Sequence, residues 1–94
     1  MVFETMTDLA PEAVIERAKA FFASRVPANA AFVERQSARH IVMRGQGGEE
    51  VVIAAVPVED GSGSKVRGSS LLFCSSLKRF LATLPGAFPP ARVA

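Results

Sequence analysis

Tryptophan and tyrosine are absent from this chain, and cysteine and histidine occur once each. Each shortage excludes something. Proteins that read single-stranded nucleic acid on a sheet usually stack bases on aromatic side chains. Here the seven phenylalanines are the whole aromatic complement, and they fall mostly on helical segments or near strand ends. The lone Cys74 cannot form an intramolecular disulfide, which suits a reducing compartment. One histidine and one cysteine are too few for a convergent set of metal ligands, so no cofactor is expected. No apolar run approaches the ~20 residues that cross a bilayer, so no membrane partner is expected. Glu4, Asp8 and Glu12 interrupt the start of the chain. No signal peptide is expected there, and the expected location is cytoplasmic. Excess charge is scarce too: eleven Lys and Arg oppose nine Asp and Glu, a net +2. That balance permits an anionic partner without requiring one.

What is present is a doubly apolar strand. Glu49 to Val58 reads E-E-V-V-I-A-A-V-P-V. Val51, Ile53 and Ala55 point one way, and Val52, Ala54 and Val56 the other. A strand with one wet face alternates apolar with polar residues. This one does not, so a cover is expected on both sides. The 94 residues make one small domain, with two helical segments, enough to cover one face only.

Around that strand the chain parses into short elements. Val2 to Thr7 is close to alternating and reads as a strand. Asp8 offers a helix N-cap, with Pro11 tolerated in the first turn. Val14, Ala18, Phe21 and Phe22 then recur on one face of a helix over residues 9 to 25, which Pro27 stops. Phe32 to Gln36 and Arg39 to Arg44 read as a hairpin about Ser37-Ala38. That register sets Gln36 opposite Arg39, Glu34 opposite Ile41, Phe32 opposite Met43, Arg35 opposite His40 and Val33 opposite Val42. The first three pairs are expected to face the helices. Glycine-rich turns flank the apolar strand, and Lys65 to Ser69 is the last strand. Ser69 or Ser70 caps a helix over about residues 70 to 84, with Phe73, Leu77, Phe80, Leu81 and Leu84 as its stripe. The expected fold is α+β, in the order β-α-β-β-β-β-α. It has an antiparallel meander and both helices on one face. Residues 1–86 form the domain, and 87–94 an extended tail anchored by Phe88 and Val93.

The stretch from Val51 to Leu84 has an apolar strand, a glycine-rich turn and the run G-S-K-V-R-G-S. A helix ending in Phe80-Leu81 follows. This order resembles the second half of the helix-grip proteins, the START and pollen-allergen-like binders of lipids and polyketides. The resemblance implies a sheet gripping a C-terminal helix, and a small hydrophobic ligand. This chain has about half that superfamily's usual length and lacks the extra elements that close its cavity. It would be a truncated relative or a small bacterial protein of similar order. No functional residue carries over.

Three groups of residues invite chemistry. Gly45-Gln46-Gly47-Gly48 and Gly61-Ser62-Gly63-Ser64-Lys65 look like phosphate loops, but both join strand to strand and neither has the required spacing before a helix. They read as hairpin turns. Cys74 and His40 are a nucleophile and a base in type, yet nothing fixes them together, and cysteine is a common buried hydrophobe. The acids of Glu49-Glu50 and Glu59-Asp60 flank turns and read as solvated. The chain is therefore read as non-enzymatic. Its leading candidate surface is an apolar sheet face of Val33, Val42, Val52, Ala54 and Val56, used for homodimerisation or for a hydrophobic ligand. The competing reading uses Arg35, His40, Arg44, Lys65 and Arg67 as an anion or single-stranded nucleic-acid site. The missing Trp and Tyr weigh against that.

Overall fold

In a computed structural model the described residues form an antiparallel sheet with two helices on one face. The structure describes residues 2–24, 32–45, 49–59, 63–71, 74–86 and 91–92. The strands are β1 (Val2–Thr7), β2 (Phe32–Gln36), β3 (His40–Arg44), β4 (Glu50–Pro57), β5 (Ser64–Ser70) and β6 (Ala91–Arg92). The helices are α1 (Pro11–Ser24) and α2 (Cys74–Ala82). Sheet order is β2-β3-β4-β5-β1-β6. The expected α+β class and the β2–β5 meander are thus present, and two residues of the expected tail pair with β1 as β6. Pro27, Phe73, Phe88, Val93 and the centres of both glycine-rich turns lie outside the described residues.

The helices cover the face bearing Val51, Ile53 and Ala55, all fully buried. Ile41 and Met43 on β3 and Val66 on β5 share that face, also fully buried. α1 lies chiefly over β4, and α2 over β5 and β1. Between them Phe21, Phe22 and Phe80 meet with ring centroids 5.3 to 6.1 Å apart, edge-on or tilted. Tilted aromatic packing of this kind adds about 0.5–1.5 kcal/mol per pair beyond area burial. Leu77 sits close to the sheet because Gly68 faces it: a Cβ at 68 would lie 2.5 Å from Leu77 Cδ1.

Several boundaries differ from expectation. Asp8 does not cap α1: the first helical bonds run from Ala13 N and Val14 N to Ala10 O, each 3.1 Å. Ala10 is therefore the cap and Pro11 the first helical residue, where its missing N–H is harmless. The Thr7-Asp8 corner serves another purpose. Asp8 N and Thr7 Oγ1 donate to Pro85 O at 3.1 and 2.7 Å, tying the end of α2 to the start of α1. β5 runs on through Ser70, whose Oγ donates to Glu50 O at 3.0 Å. Neither Ser69 nor Ser70 caps α2, which begins at Cys74.

The β2–β3 hairpin has a different register. Its turn holds three residues, Ser37 to Arg39, closed by Ser37 N donating to His40 O at 2.7 Å. Gln36 pairs with Ile41, Arg35 with Val42 and Val33 with Met43, with Glu34 bulged out between. Gln36 consequently faces α1, bonded to Glu16 at 3.1 Å and Lys19 at 3.5 Å. Glu34, expected on the helix side, instead meets Arg44.

Candidate functional site

Among the described residues no helix lies on the outer face of the sheet. Directly paired residues share a face, so the register gives its rows. Val42, Val52, Ser69 and Val2 form one row, with Arg35 beyond Val42 at the β2 end. His40, Ala54, Arg67 and Glu4 form the next, and Val56, Lys65 and Met6 the third. β4 thus lays Val52, Ala54 and Val56 down the middle of a face that neither α1 nor α2 covers. Val56 is 55% exposed and Met6 36%, while Val52 and Ala54 are half-buried.

Two members of the expected apolar set sit differently. Val33 pairs with Met43 rather than Val42, because the bulge shifts it to the helix-bearing side. Val42 is on the outer face but only 2% exposed, between Arg35 and Val52 in its row. Met6 and Val2 belong to the surface and were missed. The signal was present, since Val2, Glu4 and Met6 alternate with the inward Phe3, Thr5 and Thr7.

The five basic candidates do emerge together on this face, but acids are interleaved among them. Arg44 Nε donates to Glu34, and its Nη2 lies 3.1 Å from Glu50. Glu4 lies 3.6 Å from Lys65 and 3.7 Å from Arg67. Arg44 holds the Glu34 carboxyl below the usual carboxylate range, chiefly by hydrogen bonding, with desolvation opposing. Glu34 in turn raises the Arg44 guanidinium. Of the four formal cations, Arg44, Lys65 and Arg67 have a carboxylate within ion-pair distance.

Other candidates are dispersed. His40 stands on the outer face, whereas α2, which Cys74 begins, packs on the opposite one. Glu50 is engaged with Arg44, and Asp60 lies outside the described residues. Among the described residues no three His, Cys, Asp or Glu converge as metal ligands. Nor is any helix among them long and apolar enough to cross a membrane. A shallow cleft between α1 and the β2–β3 turn is lined by Glu12, Ile15, Glu16, Gln36, Ser37 and Ala38. Its Glu16 and Gln36 are bonded to each other.

Comparison with protein-family models, with curated proteins and with solved structures finds no match.

Proposed function

We propose that this chain is a small non-enzymatic interaction module that self-associates through the outer face of its sheet. One observation carries the reading: β4 presents apolar side chains to both faces, and the helices cover only one. Exposed Val56 and Met6, beside Val52 and Ala54, gain by leaving water at ~25 cal/mol per Å² of apolar surface. The sheet edges are poorer docking sites. β2 is bulged at Glu34 and flanked by charge, and β6 has two residues; both features discourage edge-to-edge pairing.

Competing uses draw less support. A hydrophobic ligand would have to lie on the outer face itself, since Phe21, Phe22, Leu77, Phe80 and Leu81 already pack between sheet and helices. An anion would meet Glu4, Glu34 and Glu50 on the basic face, where like-signed contacts cost affinity. The single Cys74 supports a reducing, cytoplasmic setting.

The test is sedimentation equilibrium of the wild type and Val56→Asp. Even with Lys65 beside it across the strands, a carboxylate buried in the apolar interface should raise the dissociation constant about tenfold or more, with an unchanged circular dichroism spectrum. An equally tight dimer in the variant would remove the outer face from the interface.

A further inference from the structure

We infer that β6 is a releasable guard over the edge of β1, and that its release lets β1 pair with β1 of a second copy. The surface involved is a sheet edge, distinct from the outer face. An unprotected edge strand is a template for pairing with another chain, and proteins blunt such edges with bulges, charge, proline or a covering segment.

The two ends of this sheet are blunted differently. β2 is bulged between Val33 and Arg35 and carries Glu34 and Arg35. β1 has no such device. It pairs with β5 in unbroken register from Val2 to Thr7. Its sequence V-F-E-T-M-T has no proline, and its Val, Phe and Thr residues favour strands. Its one charge, Glu4, is turned to Lys65 and Arg67 on the outer face, at 3.6 and 3.7 Å. Pro85 O holds the far end of the edge, at Asp8 N and Thr7 Oγ1. Among the described residues the strand that covers this edge is β6, which stands opposite Phe3 and Glu4.

A cover this short is held lightly. Hydrogen-bonded and non-hydrogen-bonded pairs alternate along an antiparallel ladder. Of Ala91 and Arg92, therefore, only one exchanges backbone hydrogen bonds with β1. β5 lies opposite β1 along all six residues and holds it more firmly. Opening of β6 is thus a local event that leaves the rest of the sheet intact. A second β1 fits the freed edge. Phe3, Thr5 and Thr7 point inward and Val2, Glu4 and Met6 outward. Antiparallel pairing of inward with inward residues keeps the helices of both copies on one side. With Thr5 opposite its own image, Phe3 to Thr7 overlap and Glu4 faces Met6. Sliding by two residues sets Glu4 on its own image, which is unfavourable, and the register between them reverses the faces.

The experiment compares Val56→Asp with a triple variant that adds Ala91→Pro and Arg92→Pro, by sedimentation equilibrium, with folding checked by circular dichroism. The prolines remove both backbone N–H groups of β6. Val56→Asp weakens pairing through the outer face, so edge and face read separately. The triple variant should stay folded and dimerise at least about tenfold more tightly than Val56→Asp alone. In the wild type, amide hydrogen exchange should be at least about a hundredfold faster in β6 than at the β5 amides bonded to β1. A folded triple variant with the same mass as Val56→Asp overturns the pairing. A mass beyond two chains overturns β1 as the surface, because each chain has one such edge. Loss of the fold, or equal exchange in β6 and β5, overturns the release and the pairing with it.

Discussion

At the scale of single residues, backbone geometry and one ion cluster make sharp claims. Gly63 has φ +150°, and a Cβ there would lie 2.0 Å from Thr7 O. The obstacle is main chain, held in the β1–β5 pairing, and cannot swing aside. Gly63→Ala should therefore cost about 2 kcal/mol or more, from the backbone strain together with the clash, read as a lowered denaturant midpoint. A midpoint equal to wild type would show that the β1–β5 corner is looser than described. The Glu34–Arg44 pair gives a pH signature. A carboxyl whose folded pKa is depressed adds stability above its unfolded value and loses it as pH falls through the folded one. Glu34→Gln should thus lower stability at neutral pH, and the deficit should shrink below the ordinary carboxylate range. Solvent screening keeps the effect small. A deficit that stays constant into acid would assign it to packing.

Among the elements, α1 and α2 are held to one sheet face by a shared aromatic contact. Phe22 and Phe80 are at most 1% exposed, and Phe21 touches both. Phe80→Ala should cost about 3–5 kcal/mol, since it removes a large buried ring and leaves a cavity between the helices. That is a large share of a domain this size. Thermal unfolding would measure it, and a loss under 1 kcal/mol would mean that the helices do not share one core. The elements also show where a sequence can be read. Apolar residues on both faces of Val51 to Val56 revealed β4, and alternation of Lys65, Val66 and Arg67 revealed β5. Two features hid themselves. The hairpin register depends on the bulge at Glu34, which no alternation marks. The start of α2 was misplaced because Ser69 and Ser70 look like caps, whereas the Ser70 hydroxyl closes onto β4. Similarly, Asp8 resembles a cap by residue type, yet Ala10 occupies that position because the chain first bonds to Pro85.

At the scale of the whole molecule, the described residues form a six-stranded sheet that carries α1 and α2 on one side. The sequence made the doubly apolar strand plain. It concealed that Val42 is already covered, that Val33 lies on the other side, and that acids stand within ion-pair distance of three of the basic residues. All three follow from register, and register depends on pairs distant in the chain. Under the proposed self-association, the apolar outer face would add buried surface to a 94-residue chain that buries a limited share of its surface alone.

The most direct test is the solution mass of the wild-type protein by light scattering, at a low and a high micromolar concentration. The account predicts a mass that rises with concentration from the 10.0 kDa of one chain towards twice that value. A mass of one chain at both concentrations would contradict it.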